Sequence, residues 1–424
     1  MTSGSPQDSS TAQPQMQAAL ARMRALHEQG HYQQSLDISL QIAHDHPDAA
    51  DAWNGAAANC LFLARWQDVI GYAKKGLALR DNLFGYDALA HAYGYLGQEK
   101  QARRYGLKTL EMRACHFNAS PPILPPALPP MPPPPSAQTR QRNVIAFSLF
   151  GRDAKYCETA VLNVQDQPEV YPDWVCRFYV DGSVPARVIQ RIREHGGQVV
   201  LVEGAAAQWP GPMWRLLTLD DPRAHRILFR DADSVISRRE AAAVAQWVGS
   251  AKRFHMMRDW HTHTELMLAG LWGAVAGSLP PLKQLMRRFM HAPLTSRHFA
   301  DQFFLRQYIW PYARASLMQH DSVFGFMDAA PFPDVQMPAG HHVGCAESVT
   351  CTAQSHQPDG AEHAWALYRI EKGADGQTRE KLVCSYASVV QGGLVKVHIP
   401  ARYARWMQQG TAQMRSITGN NSAA

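Results

Sequence analysis

Leu228 to Val235 read LFRDADSV: apolar side chains suited to a buried strand, one arginine, then Asp231 and Asp233 either side of an alanine. Two carboxylates at the mouth of a hydrophobic strand repel each other and lose hydration, which a cation bound between or beside them offsets. Outward from this stretch, NVIAFSLFG (Asn143 to Gly151) reads as a buried strand ending in glycine and AKYCETAVLNVQ as a helix. WVCRFYVD is a second strand, PARVIQRIREHGG a helix with a glycine stop, QVVLVEG a third strand, and PMWRLLTLDDPRAH a helix and turn that leads into RILFRDADS. Strands alternating with helices predict a mostly parallel α/β sheet covered on both faces. Ligands of such sheets bind beyond the carboxyl ends of strands, which is where Asp231 and Asp233 fall.

The 424-residue chain is long enough for at least two cores. Its composition, 46% hydrophobic and 18% charged, is that of a folded protein. A formal charge of +6 spread over this length suits a phosphate-bearing small ligand and argues against a nucleic-acid partner. The first residues carry neither a basic leader nor an apolar run, and no segment approaches about 18 uninterrupted apolar residues, so no membrane span and a cytoplasmic location are expected. Seven scattered cysteines read as reduced thiols, and the Cys345–Cys351 spacing is too wide, with no second pair, for a zinc site.

The proline-rich run from Ser120 to Gln138 marks a stiff, extended spacer. Before it, Gly30, Tyr32 and Ser35 correspond to Ala64, Trp66 and Val69, with Gly97 and Ala102 in a third unit, so that the recurring small residue steps by 34 and then 33 positions. That period, with AWNGAAANCLFLARW opening a unit, resembles the tetratricopeptide repeat. Stacked helix pairs of that kind bury a core no single pair could. The expected organisation is a disordered N-terminus (1–16), an all-α repeat domain (17–118), a linker (119–141), a catalytic α/β domain (142–350), a small β appendage (351–410) and a flexible tail (411–424). Either the repeats bind a protein partner or a second copy of the chain, or they pack on their own catalytic domain.

Two chemistries compete for the aspartate pair. Haloacid dehalogenase-like phosphatases also carry D-x-D, but early in the domain and with a later acidic pair that this chain lacks. The position of the pair after several strand–helix units resembles the D-x-D of GT-A-type glycosyltransferases, and the resemblance extends over residues 143 to 345. It implies a GT-A-like α/β fold, a nucleotide-diphospho-sugar donor, Mn²⁺ or Mg²⁺ bridging Asp231 and Asp233 to the diphosphate, and Lewis-acid assistance to its departure. Carried over, Asp233 is the direct metal ligand and Asp231 meets the ribose or the metal through water. His341 or His342, in PAGHHVGCAES, completes the metal shell. Phe150, Gly151, Arg215 and Arg230 are candidates for the donor side; the two arginines serve equally well as structural ion-pair partners. In HMMRDWHTHTELMLAGLWGAV, Asp259, His261, His263, Gly270, Trp272 and Gly273 are candidates for the sugar and acceptor pocket, with Asp259 also a candidate catalytic base beside Asp301 and Trp272 as well suited to the core. In ADQFFLRQYIWP, Asp301 is a candidate base that could also cap a helix, and Gln302 an acceptor contact.

These motifs together point to a metal-dependent glycosyltransferase acting on a glycan, lipid-linked or protein acceptor. A non-catalytic repeat scaffold with a degenerate α/β domain, and a phosphoryl-transfer enzyme with Asp231 as nucleophile, are the alternatives. Repeat domains also accompany O-linked N-acetylglucosamine transferases, whose catalytic fold is different, so that analogy is one of architecture.

Overall fold

The computed structural model describes residues 9–118, 121–123, 128–291, 293–294, 296–373 and 375–417. By its internal contacts the chain forms two units: residues 1–121 with 258–266 and 319–331, and residues 122–257 with 267–318 and 332–424.

The first unit holds six helices, α1 (Ser9–Glu28), α2 (Tyr32–Asp45), α3 (Ala50–Phe62), α4 (Trp66–Leu79), α5 (Leu83–Tyr95) and α6 (Glu99–Phe117), each packed on its sequence neighbours. The recurring small residues are the hairpin turns. Gly30, Ala64 and Gly97 take φ of 80°, 54° and 69°, the left-handed conformation that ends one helix and starts the next. A side chain there costs about 1–2 kcal/mol, which accounts for glycine at two of the three. Ala56, Ala57, Cys60, Val69, Ala73, Ala88, Leu89 and Ala92 build the core, small residues that let the helices approach. Gly94 and Gly106 have a different role. A Cβ on Gly94 would run into the His261 ring, and one on Gly106 into the Phe324 ring. Helices α5 and α6 therefore carry the two chain excursions, held further by Thr264 Oγ1 on Asp87 and Arg113 on Glu265 at 2.8 Å. Asp259, His261 and His263 belong to this unit.

The second unit is built on a seven-stranded sheet. In chain order come β1 (Asn143–Leu149), α7 (Ala154–Val170), β2 (Val175–Val180), α8 (Ala186–Glu194), β3 (Gln198–Leu201), a 3-10 stretch Gly211–Asp220, β4 (Arg226–Phe229), α9 (Arg238–Val248), β5 (Phe254–Arg258), β6 (Trp272–Val275) and β7 (Leu317–Asp321). The sheet order is β3-β2-β1-β4-β6-β5-β7. Strands β3, β2, β1 and β4 run parallel, whereas β6 is antiparallel to both β4 and β5. The sheet is thus mixed, where alternation of strands and helices predicts a mostly parallel one. The reversal comes from β6, which returns beside β4 after the 258–266 excursion instead of crossing over through a helix. Strands β1, β2 and β4 are buried along their whole length, which fits their continuous apolar runs.

A second, antiparallel sheet of five strands follows: β8 (Ser348–Gln354), β9 (Glu362–Lys372), β10 (Thr378–Gln391), β11 (Leu394–Pro400) and β12 (Ala412–Ser416), in the order β12-β9-β10-β11-β8. Trp365, Leu367, Val397 and Ile399 pack with Ala154 and Leu162 of α7, so this sheet covers the helix that follows β1. Glu158 of α7, fully buried, ties the two together: Arg191 binds it at 2.8 Å and the hydroxyls of Tyr386 and Tyr403 donate to it at 2.6 and 2.9 Å.

Three boundaries differ from the expected ones. Helix α1 begins at Ser9, inside the expected disordered leader, and β12 lies inside the expected flexible tail; residues 1–8 and 418–424 are outside the described residues. The proline spacer, expected to belong to neither core, is counted from residue 122 with the second unit where it is described. Proline lacks an N–H but keeps its carbonyl, and Pro132 and Pro133 accept from Arg226 and Pro129 from Arg253, laying this run on the α/β unit. Among the described residues no helix is long and apolar enough to cross a membrane.

The turn geometry makes a paired prediction. Gly97→Ala should lower the unfolding free energy by about 1 kcal/mol, while Ala64→Gly should leave it unchanged or raise it slightly. Chemical denaturation of both variants checks this; equal losses in both would contradict the left-handed assignment at position 64.

Candidate functional site

The chain leaves β1 outward to β2 and β3, then returns to place β4 on the other side of β1. The carboxyl ends of β1 and β4 therefore flank the switch point of the parallel half, where open α/β sheets form a ligand crevice. Phe150 and Gly151 follow β1, and Asp231 and Asp233 follow β4.

Arg215 organises this crevice. Its backbone N–H donates to Ser148 Oγ of β1 at 2.9 Å, which positions the 3-10 stretch beside the strand. Its guanidinium, 3% exposed, donates to the Arg230 carbonyl at 2.5 Å, to Asp231 Oδ1 at 2.6 Å and to Asp301 Oδ2 at 2.7 Å. Burial opposes the guanidinium's charge, yet Asp231 and Asp301 raise its pKa above the ordinary value. Asp301, on the short helix Ala300–Phe304, is raised by burial and by Asp231, against the lowering effect of Arg215. Asp231 differs from it in access, its side chain being 49% exposed. One carboxylate faces the crevice and the other holds the arginine from behind.

Asp233 has its own cation. Lys155 Nζ, in the first turn of α7, lies 2.9 Å from Asp233 Oδ2. Burial opposes the ammonium, but the hydrogen bond and charge of Asp233 keep its pKa raised. Asn163, lower on α7, clamps the turn by donating to the Ser234 carbonyl at 2.8 Å and accepting from the Ile236 N–H at 2.9 Å. Lys155 was not among the sequence candidates; its signal was a cation in the first helical turn after a strand-ending glycine. Gly151, at φ 77°, donates its N–H to Ser183 Oγ at 2.6 Å. Phe150 is 41% exposed and makes an edge contact with Trp214.

Two downstream segments reach the same place. A Cβ on Gly270 would fall on the Asp231 carboxylate, so glycine is required for this approach. Gln302 holds that stretch, donating to the Met267 carbonyl at 2.5 Å and accepting from the Ala269 N–H at 3.2 Å. The segment after the histidines arrives too: Ala346 bridges to Ser234, and the Glu347 N–H donates to the Asp233 carbonyl at 2.8 Å. His341 is exposed with Nδ1 3.2 Å from the Ala339 carbonyl, and His342 Nδ1 lies 3.0 Å from the Val343 carbonyl. Among the described residues no group of three or more His, Cys, Asp or Glu side chains is arranged to hold a metal ion.

Other candidates have structural environments. Trp272 is fully buried in β6 and stacks on Phe229 at 4.1 Å, and Gly273 faces Leu228 and Trp247. Arg230 is buried against Glu240 at 2.9 Å. In the first unit, Asp259 accepts from Ser322 Oγ at 2.6 Å and its N–H donates to His263 Nδ1 at 3.0 Å, while His261 packs edge-on to Tyr95.

No protein-family model matches the chain, and no curated protein matches it. Among solved structures, an O-GlcNAc transferase mutant from Thermobaculum terrenum is similar at 14% identity and a TM-score of 0.27, covering 51% of this chain and 45% of that one. A 4-diphosphocytidyl-2C-methyl-D-erythritol synthase from Anaerococcus prevotii is similar at 8% identity and a TM-score of 0.28, covering 43% of this chain and 88% of that one. Overlap this weak carries no functional weight; the side chains of the crevice do.

Arg215→Met should strand Asp301 as an unpaired buried carboxylate and cost about 3–5 kcal/mol. Adding Asp301→Asn should restore most of the loss. Without the arginine the Asp301 pKa rises further in the folded state, so the deficit against wild type is full above the variant's folded-state pKa and shrinks as pH falls from there to the wild-type value, an interval that lies wholly above the ordinary carboxyl pKa. Urea unfolding across pH checks both signs; a deficit constant with pH would contradict the ion pair.

Proposed function

We propose that the crevice at the ends of β1 and β4 is the donor site of a glycosyltransferase that uses a nucleotide-diphospho-sugar. The observation that carries this reading is the half-exposed Asp231 at the switch point, oriented by a buried arginine and backed by Asp301. Asp233 and Lys155 stand beside it, and a glycine turn opens at the end of β1. A GT-A-like catalytic domain combines these parts: an opening strand and glycine turn for the nucleotide, and a later strand that delivers two carboxylates. The helical unit is read as tetratricopeptide-like on its period and left-handed turns.

Each side chain has a definable task. Lys155, at the start of α7, adds a point charge to the favourable N-terminal field of the helix, where a diphosphate oxygen is stabilised. Arg215 holds Asp231 in one orientation and is itself held by Asp301. At 8% side-chain exposure Asp301 is too enclosed to receive a proton from an acceptor, so it is read as a positioning group for Arg215. Phe150 offers an exposed ring for the base, and Gly270 leaves room for the Asp231 carboxylate. The expected Mn²⁺ or Mg²⁺ fits this donor set in one way. Asp231 and Asp233 each commit one oxygen to a cationic side chain and keep another, so a hard dication would take two carboxylates from the chain and the rest of its shell from phosphate and water. Bound there, it would supply Lewis-acid stabilisation of the departing diphosphate.

Thermal unfolding with UDP, GDP and CDP, each with and without Mn²⁺, tests the reading. A nucleotide at about 100 times its dissociation constant should add roughly 2.7 kcal/mol. The gain should require the metal and disappear in Asp233→Ala. No stabilisation by any nucleotide would overturn the donor site and favour the scaffold alternative.

A further inference from the structure

A second cavity, of about 530 Å³, lies in the α/β unit between α8 and the end of the antiparallel sheet, on the same face that Trp365 and Leu367 turn toward α7. It is separate in sequence and in lining residues from the donor crevice. Its volume is in the range of small-molecule sites. One wall is α8 with Arg187, Gln190 and His195; the other is β9 and β10 with Arg369 and Lys381, and Trp406 closes one end. These side chains are unusual in how their charges are arranged.

Arg369 and Lys381 are direct cross-strand partners in the β9–β10 ladder. Like charges in that relation are destabilising unless something of opposite sign meets them. Arg369 is fixed, with its guanidinium 4.3 Å from the Trp406 ring centre and Nη1 donating to Thr411 Oγ1 at 2.6 Å. Tyr403 stacks on Trp406 at 4.8 Å, so the indole acts as a support for the arginine and not as a free platform. Arg191 is neutralised from below by buried Glu158. Lys381 and Arg187 face the cavity without an ion-pair partner among the described residues. Two acids share the lining, Glu194 and Glu371, and the first accepts from Gln190 at 2.7 Å. The cations Arg187, Arg369 and Lys381 exceed them. Gln165 and His195, bonded to each other at 3.2 Å, add neutral donors and acceptors at the rim.

We infer that this cavity is a binding site for an anionic saccharide, one bearing a uronate carboxylate or a phosphate. The cations meet the acid group, the amides and His195 meet hydroxyls, and the volume admits one to two sugar rings. The site does not depend on the donor crevice, since it shares no residue with it; as a reading of the whole chain it would give an acidic glycan acceptor a second point of attachment.

The experiment titrates the full chain with tetragalacturonate, glucose 1-phosphate and maltotetraose by calorimetry, in wild type, Arg187→Glu, Lys381→Glu and Asp231→Asn. Arg187 and Lys381 are exposed, so both variants should fold, which their unfolding midpoints would verify. At least one acidic probe should bind wild type and Asp231→Asn equally and at least tenfold more weakly to both charge-reversed variants. Maltotetraose should not bind. Binding unaffected by the charge reversals, equal binding of the neutral sugar, or no binding by any probe would overturn the inference, and none of these outcomes bears on nucleotide binding at Asp231.

Discussion

A guanidinium with 3% exposure stands between two carboxylates at the mouth of the sheet, and the arrangement of the crevice depends on it. Removing such a charge from water is expensive, and only excellent geometry offsets it. Arg215 has that geometry, with two carboxylates, one backbone carbonyl and an N–H anchored on β1. It follows that Asp231 is not simply a surface acid at a strand end. Its orientation is set from three elements: β4 that carries it, the 3-10 stretch that carries Arg215, and the helix that carries Asp301. The second pair, Lys155 with Asp233, repeats the principle from α7. The crevice thus presents two acids, each with a cation committed to one of its oxygens, before any substrate arrives.

The rest of the α/β unit serves to hold those elements still. Asn163 fastens α7 to the turn after β4, and Glu158 fastens the same helix to the antiparallel sheet through Arg191, Tyr386 and Tyr403. A fully buried carboxylate with three donors contributes most as a constraint, because losing Arg191 leaves its charge uncompensated and losing either tyrosine hydroxyl leaves a buried oxygen short of a donor. The C-terminal sheet is therefore a structural partner of the helix that presents Lys155, and the cavity beside α8 opens where the same face runs past that helix.

Much of this was legible in the sequence where a physical pattern is local. Continuous apolar runs marked β1, β2 and β4, the 34- and 33-residue steps marked the helical repeat, and the acid pair marked the strand end, whereas the left-handed turns at Gly30, Ala64 and Gly97 appear only in the structure. What was not legible depends on direction and distance. WGAV reads as a buried strand in either orientation, so the antiparallel return of β6 was hidden. Trp272 proved to be core because Phe229 stacks on it, a contact no spacing encodes. Asp259, His261 and His263 lie 7 to 11 positions before Gly270 in sequence, yet they belong to the helical unit, where Gly94 makes room for His261. Arg215 and Asp301 are each legible from sequence without the pairing that gives them their roles, and the pairing of Lys155 with Asp233 spans 78 positions that no local pattern connects.

The central claim is that Asp231 and Asp233, held by Arg215 and Lys155, receive the diphosphate of a nucleotide sugar. A crystal structure of the chain with Mn²⁺ and the nucleoside diphosphate that best stabilises it tests this directly. The account predicts phosphate density at the carboxyl ends of β1 and β4, within hydrogen-bonding reach of Lys155 and beside Asp231 and Asp233. Nucleotide bound elsewhere on the chain, with both ion pairs intact and the crevice empty, would contradict it.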